Sequence, residues 1–154
     1  MAENSRDLDP IDLSILKILS TDGRITVTEL AKTVGLSKTP CQVRLKRLIE
    51  DDFIQGFKAK LNPAKMRLEH VTFVEVKLSN TSEGALLAFN SAVADIAEIE
   101  QCHMIAGAFD YLIKVRTSDI QSYRKVLAES ISGLPHVSST STHVSMESVV
   151  DEIT

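Results

Sequence analysis

The feature that most constrains the fold is a pair of helical segments joined by Gly35. Thr26-Val27-Thr28-Glu29 has the capping-box pattern, so a short helix is predicted to begin there. Gly35 is predicted to end it, because the left-handed conformation that closes a helix costs little for glycine. Ser37 is a good N-cap for a second helix, and Pro40 still falls within its first turn. The arrangement predicts a helix-turn-helix, in which the second helix enters the DNA major groove.

The second helix has an apolar side and a basic side. At about 100° per residue, Cys41, Leu45 and Leu48 share the apolar side. From Ser37 to Leu48 there are four basic residues and no acidic one. Taken alone, such a helix is typical of a solvated protein surface, but the preceding short helix and glycine turn favour DNA binding. The predicted DNA-binding residues are Ser37, Lys38, Thr39, Gln42, Val43, Arg44, Lys46 and Arg47.

A third helix is predicted to support this pair. Asp9-Pro10-Ile11-Asp12 places an N-cap, a proline at the first helical position and an acid in the first turn. The helix should end near Asp22-Gly23, which gives a three-helix unit over residues 9–50. The alternating stretch 53–61 predicts a strand or wing, and Asn62-Pro63 interrupts it. We therefore expect a DNA-binding domain over residues 1–61 and a hinge over 62–70.

The remaining residues, 71–154, predict a second domain of a different kind. The predicted order is a strand over Val71–Leu78, a helix over Ser82–Val93, strands over Ala97–Ile105 and Tyr111–Arg116 joined by a turn at Gly107–Asp110, a helix over Ile120–Ile131 and a Ser/Thr-rich strand over Val137–Val150. The order βαββαβ predicts a ferredoxin-like α/β sandwich, so the whole chain is of the α+β class.

Charge is distributed unevenly between these two parts. The net charge is −4, but residues 1–66 carry 11 Lys and Arg against 9 Asp and Glu, whereas the remainder carries 6 against 12. A basic helix joined to an acidic domain suits a DNA-reading module with a second function. The two cysteines make no disulfide framework, no apolar run reaches 18 residues, and the first residues do not resemble a signal peptide. We expect a cytoplasmic protein without membrane association.

Several stretches in both halves resemble one family, the leucine-responsive/asparagine-responsive (Lrp/AsnC) transcription factors of bacteria and archaea. The matching residues in the first half are Leu8-Asp9, Ile11-Asp12, Ile15-Leu16, Asp22-Gly23-Arg24-Ile25, Val34-Gly35-Leu36-Ser37, Thr39-Pro40-Cys41 and Phe53-Ile54-Gln55-Gly56. Those in the second half are Phe73-Val74-Glu75-Val76, Cys102-His103, Gly107, Phe109-Asp110-Tyr111-Leu112, Tyr123-Arg124-Lys125 and Met146-Glu147. The similarity covers nearly the whole chain and is nearest to the leucine-responsive type.

This resemblance implies a winged helix-turn-helix followed by a domain that oligomerises and binds amino acids. It implies a regulator of amino-acid metabolism that binds double-stranded DNA, is associated with the bacterial nucleoid, and forms homodimers through its sheets that assemble into octamers. Family effector sites lie between subunits, near the turn joining the two middle strands and beside the last strand. On this sequence the implied effector-binding residues are Gly107, Asp110, Tyr111, Thr140, Thr142 and His143. The leucine-responsive type has a tyrosine where this chain has His143.

The chemistry of these residues suits a small amino acid. An α-ammonium group needs a carboxylate such as Asp110, and an α-carboxylate needs N–H groups and hydroxyls, which a glycine turn and threonines supply. The alternative for the same residues is structural: Asp110 would cap its turn, and the Ser/Thr run would be an exposed strand face. Without the resemblance, the residues favour that structural alternative.

Two other functions compete with that of an effector-responsive regulator. The sequence contains no G-x-S-x-G, P-loop, G-x-G-x-x-G or zinc-like Cys/His spacing, so we expect no enzyme activity, cofactor or metal. The sirohaem decarboxylases resemble the same family, but the basic helix argues against a porphyrin site built from the scattered histidines, which are His70, His103, His136 and His143. The second competitor is an architectural nucleoid protein that binds DNA without sensing a metabolite.

Overall fold

The computed structural model describes residues 7–151 and divides into two compact units between Lys60 and Leu61. Each unit has its own hydrophobic core. The hinge expected over residues 62–70 stays a prediction.

The first unit is the three-helix arrangement that the capping signals predict. Its helices are α1 (Pro10–Thr21), α2 (Val27–Thr33) and α3 (Lys38–Glu50). Both capping boxes are present, from Asp9 to Asp12 and from Thr26 to Glu29. Gly35 has a φ of 73°, as expected for the residue that closes α2. Ser37 occupies the N-cap position of α3, but its hydroxyl makes no capping hydrogen bond, contrary to expectation. The buried core residues are Ile15, Leu30, Ala31, Cys41 and Leu48.

The segment after α3 is predicted to form a strand or wing. Residues 53–61 form no strand in the described part of the chain, although their side chains alternate. Alternating side chains allow a strand to bury one of its faces. A strand also needs a neighbouring strand to form hydrogen bonds with its backbone N–H and C=O groups. The segment instead begins with a hydrogen bond from the Ile54 N–H to the Leu48 carbonyl, 3.1 Å long. Further along, the Phe57 ring lies so close to Gly23 that a Cβ there would be 3.1 Å from Cδ1.

The second unit has the expected order βαββαβ. The elements are β1 (His70–Leu78), α4 (Glu83–Ala94), β2 (Ile99–Met104), β3 (Tyr111–Thr117), α5 (Ile120–Val126), which continues as a wider π-helical turn over Leu127–Ile131, and β4 (Val137–Val144). The strands form one antiparallel sheet in the order β2-β3-β1-β4. This is the ferredoxin-like arrangement.

The two faces of this sheet differ. One face packs on the helices, with a core that includes Val74, Val76, Ile113, Phe89 and Tyr123. Within residues 61–151, no helix of the second unit covers the other face, and we call it the open face. It bears the alternate residues of each strand, because successive side chains of a strand point to opposite sides. The residues of the open face include Glu75, Lys77, Lys114, Arg116 and His143.

Strand β4 is shorter than the predicted Val137–Val150. Its last residue, Val144, lies opposite Thr72, and β1 begins only two residues earlier, at His70. The Ser145 N–H still bonds the Val71 carbonyl at 2.9 Å, and beyond it β1 has almost no backbone left to pair. The length of β4 is therefore set by its neighbour.

Substituting two glycines should change stability in opposite directions. Gly35→Ala should lower the free energy of unfolding of the first unit by about 1 kcal/mol, because alanine is strained at a φ of 73° although the added Cβ has open space. Gly84 lies within α4, and a Cβ added there would also face open space. Gly84→Ala should raise the free energy of unfolding of the second unit by about 0.5 kcal/mol, because alanine is the better helix former. Urea unfolding followed by circular dichroism measures both. Equal shifts of one sign would contradict this account of Gly35.

Candidate nucleic-acid interface and effector groove

Helix α3 presents a continuous stripe of exposed side chains. Thr39, Gln42, Val43 and Lys46 are all exposed, and their spacing of three, four and seven residues places them side by side on one face. We call these four residues the α3 stripe. Ser37 and Lys38 are exposed at the start of the helix. Lys46 Nζ lies 3.4 Å from a Glu50 carboxylate oxygen, but both side chains are largely exposed, so this pair is weak.

The two arginines of α3 lie elsewhere, against the first turn of α1. Arg44 Nη1 is 2.5 Å from Asp9 Oδ2 and 2.9 Å from Asp12 Oδ1, and Arg47 Nη2 is 2.5 Å from Asp12 Oδ2. The Asp12 side chain is only 1% exposed. We call these four residues the Asp–Arg clamp. Arg44 and Arg47, which the sequence predicts as DNA-binding residues, have their guanidinium groups paired with the carboxylates that hold α1 on α3.

The electrostatics of the clamp favour its charged form. The pKa of the Asp9 carboxyl is lowered, chiefly because it accepts the Asp12 N–H and then because it pairs with Arg44. The pKa of Arg44 is raised by its hydrogen bonds to Asp9 and Asp12. The sequence contained a signal for the clamp that was missed: both acids and both arginines are three residues apart, so each pair lies on one helix face.

Tyr111, a predicted effector residue, is a core residue of the second unit. Its side chain is 2% exposed, and its ring centroid lies 4.3 Å from that of Phe89 in α4. Its hydroxyl donates a hydrogen bond to Asn90 Oδ1 at 2.8 Å. Burial raises the pKa of this hydroxyl.

The predicted effector residues of β4 point to different sides of the sheet. Thr140 and Thr142 lie opposite Val76 and Val74, so their side chains are on the helix-covered face. The Thr142 hydroxyl is hydrogen-bonded to the Tyr123 hydroxyl, 2.6 Å away. His143 is on the open face, with Nε2 3.3 Å from a Glu75 carboxylate oxygen. Within one chain, His143 therefore does not join the threonines in one pocket, because strand side chains alternate.

The turn between β2 and β3 is organised by Asp110. Asp110 Oδ2 accepts the Leu78 N–H at 2.7 Å, its own N–H bonds the Val76 carbonyl, and its carbonyl accepts the Ile105 N–H. Asp110 thus has the structural role that the sequence left open as an alternative. Gly107 lies in the same turn without a positive φ, and a Cβ there would meet only Ile105 Cγ2 at 3.6 Å.

A groove of about 190 Å³ lies beside this turn and next to β4. It is lined by Glu75, Lys77, Ala108, Phe109, Ser139, Thr140 and Ser141. Lys77 Nζ donates to the Ala108 carbonyl at 3.2 Å and lies 3.9 Å from Asp110 Oδ1. The groove therefore combines the carboxyl group of Glu75, the amino group of Lys77 and the hydroxyl groups of β4. Sequence reasoning missed Glu75 and Lys77, although both stand at alternate positions of a predicted strand.

A second cleft, of about 460 Å³, lies between α4 and β2. It is lined by Asn90, Val93, Ala94, Ile99, Glu100, Gln101, Cys102, Met104 and Tyr111. Its one acid, Glu100, is paired with Lys114 at 3.1 Å and with Arg116. Because that acid is already neutralised, this cleft is less suited to an amino acid than the groove beside the turn.

Within residues 7–151, no group of three or more His, Cys, Asp and Glu side chains is placed to hold a metal ion. In the same part of the chain, no helix is both long and apolar enough to span a bilayer.

A helix-turn-helix with a polar, acid-free stripe, joined to a ferredoxin-like sandwich with a small polar groove, defines a ligand-responsive DNA-binding protein. Comparison with known families agrees. Residues 8–55 match a winged helix-turn-helix DNA-binding domain, and residues 71–154 match the Lrp/AsnC ligand binding domain. The chain belongs to the Lrp/AsnC family of DNA-binding transcriptional regulators.

Individual relatives cover almost the whole chain. It is 64% identical to a proline dehydrogenase transcriptional activator of Rhizobium radiobacter, over 93% of this chain and 92% of the relative. It is 46% identical to the leucine-responsive regulatory protein of Escherichia coli (strain K12), over 94% and 88%. A solved transcriptional regulator of Neisseria meningitidis, in complex with L-methionine, superposes with a TM-score of 0.87 at 26% identity, covering 94% of each chain.

Removing the buried acid of the clamp should destabilise the first unit. Asp12→Ala leaves Arg44 and Arg47 facing α1 without their shared carboxylate, so the free energy of unfolding should fall by about 2–3 kcal/mol. Glu50→Ala removes the exposed partner of Lys46 and should change it by less than about 0.5 kcal/mol. Urea unfolding compares the two variants. Equal losses would show that the clamp contributes no more than a surface ion pair.

Proposed function

We propose that this protein regulates transcription of a gene for amino-acid breakdown, with proline dehydrogenase as the first candidate target, in response to a small amino acid. The observation that carries the DNA-binding part is the α3 stripe, which is exposed and free of acid between Ser37 and Leu48. The candidate target comes from the 64% identical relative named as a proline dehydrogenase transcriptional activator. Proline is accordingly the first effector to test.

The DNA contacts divide by chemistry. Lys38 and Lys46 bind phosphates, whereas Ser37, Thr39, Gln42 and Val43 lie nearest to the groove. Arg44 and Arg47 contribute indirectly by holding α3 on α1, since both guanidinium groups belong to the Asp–Arg clamp. One such helix contacts few base pairs, so two copies act together across a two-fold axis.

The homodimer forms through the open face of the sheet, and dimers assemble further into an octamer. The charges on this face support such burial, because they are already paired within the chain. Lys114, only 6% exposed, pairs with Glu100 at 3.1 Å and with Asp151, and Arg116 pairs with the same two acids. Lys114 and then Arg116 lower the pKa of Asp151. A neutralised face loses less solvation energy on association than one with unpaired charges.

The amino-acid effector binds in the groove beside the Gly107–Asp110 turn. Glu75 suits its ammonium group, and Lys77, the turn amides and the β4 hydroxyls suit its carboxylate. Of the residues implied by the resemblance, Gly107, Asp110 and Thr140 belong to this part of the unit, whereas Tyr111 lies in the core and Thr142 bonds the Tyr123 hydroxyl on the helix-covered face. The Neisseria meningitidis regulator was solved with L-methionine, which supports an amino acid as the class of ligand.

Effector binding changes DNA occupancy through assembly, provided that its affinity differs between assembled states. The protein acts in the cytoplasm on the nucleoid and has no enzyme activity. Its histidines support that view, because His70 and His143 are engaged with Thr117 and Glu75 at different places in the sheet. The competing function is that of an architectural DNA-binding protein without an effector. Such a protein would also bind DNA through the α3 stripe, but its groove would bind no amino acid.

Removing the two lysines should weaken DNA binding at every sequence. Lys38→Ala/Lys46→Ala should lower affinity at least about tenfold, and the slope of log K against log salt should become shallower by about 2, near 0.9 per lost phosphate contact. Lys17→Ala/Lys125→Ala removes the same charge from exposed positions off the stripe and should leave the slope unchanged. Light scattering should show the same assembly for both. An unchanged slope in the α3 variant would place the DNA elsewhere.

Adding a methyl group at the turn should block the effector. Gly107→Ala should fold normally, because its Cβ meets only an ordinary contact at 3.6 Å, but it should lose the thermal shift that proline gives the unaltered protein. Gly133→Ala, with its nearest contact at 3.8 Å, should keep that shift. A normal response of Gly107→Ala would place the site elsewhere. Silence of the unaltered protein towards all twenty amino acids would favour the architectural function.

A further inference from the structure

One member of the α3 stripe is chemically unlike the others. Val43 is a branched apolar side chain that is 64% exposed in the middle of a polar face. It does not belong to the core of the first unit, to which α3 contributes Cys41 and Leu48 instead. Valine is also a poorer helix former than alanine or glutamine, so helix stability does not account for it.

The Asp–Arg clamp restricts what α3 reads. The commonest specific contact to a guanine is an arginine fork on its O6 and N7 atoms. Both arginines of α3 are held by Asp9 and Asp12, and withdrawing either would leave the buried Asp12 carboxylate with fewer partners. Among the stripe residues that remain to contact bases, Gln42 is the longest neutral side chain and Val43 is the one apolar side chain.

These two side chains match one kind of base pair. A glutamine amide donates to N7 and accepts from N6 of adenine, and an apolar branched side chain packs on the 5-methyl group of thymine. Gln42 and Val43 are adjacent in sequence, so they project about 100° apart and reach neighbouring base pairs. We propose that Val43 is a specificity-determining residue that packs on a thymine methyl group, with Gln42 on an adjacent adenine.

This inference rests on the proposed mode of DNA binding and deepens it. Lys38 and Lys46 hold the backbone at any sequence, whereas Val43 and Gln42 select an A·T step in each half-site. The preference for A·T base pairs depends on the Asp–Arg clamp as much as on the α3 stripe. The clamp keeps the two arginines, which would favour guanine, paired with Asp9 and Asp12. The expected operator therefore has two symmetry-related A·T steps at the positions that α3 faces.

The experiment isolates one methyl group. The full-length protein selects sites from a random duplex library, and each thymine of a selected site is replaced in turn by uracil, which lacks only the 5-methyl group. Binding of the unaltered protein should fall about three- to fivefold at one symmetry-related pair of thymines. Val43→Ala should bind the thymine and uracil duplexes equally. Val43→Thr, which keeps one methyl group, should retain part of the difference.

A matched control variant distinguishes failure of the Val43 inference from failure of the proposed DNA binding. Leu13→Ala removes an exposed apolar side chain from α1 and should keep the full thymine-to-uracil ratio. Because the readout is a ratio, it does not depend on the overall affinity of each variant. A ratio that survives Val43→Ala, or selected sites without these A·T steps, would overturn the inference and leave DNA binding by α3 intact. Failure to select any site, without salt-dependent binding, would instead overturn the proposed function.

Discussion

The interaction on which the first unit depends is the buried carboxylate of Asp12 between Arg44 and Arg47. A charged group that is 1% exposed is stable only when it is paired and hydrogen-bonded. Asp12 also lies in the first turn of α1, where the helix dipole favours an acid, and it closes a capping box with Asp9. One side chain thus completes the cap of α1, attaches that helix to α3 and determines which side of α3 remains free.

The second unit follows the same principle on a larger scale. Its sheet is covered on one face by α4 and α5, whereas the open face carries charged side chains that neutralise each other, Lys114 and Arg116 with Glu100 and Asp151. The groove with Glu75 and Lys77 lies beside this face, where the Asp110 turn meets β4. In both units, ion pairs within the chain neutralise some of the charged side chains. The polar side chains outside these pairs, on the α3 stripe and in the groove, define the chemistry of each site.

Local signals in the sequence predicted most of the elements, because these signals act within a few residues. The N-cap at Asp9, the capping box at Thr26–Glu29, the turn at Gly35 and the order βαββαβ are all confirmed. Residues 53–61, expected to form a strand or wing, form no strand, and the extension of β4 to Val150 was wrong, because a strand exists only where a neighbouring edge completes its hydrogen bonds. Within one chain, Thr140 and Thr142 lie on one side of the sheet and His143 on the other, because adjacent strand residues face opposite sides, and their joint role in a site between subunits stays a prediction.

By itself, the sequence determined the fold class, the family and the position of the recognition helix, since capping, periodicity and glycine conformation are local properties. Only the tertiary structure decided which basic residues remain available. Arg44 and Arg47 look the same as Lys38 and Lys46 in a basic run, yet the arginines lie within 3 Å of acids more than thirty residues away. The physical reason is that an ion pair depends on distance in space, which local patterns do not record.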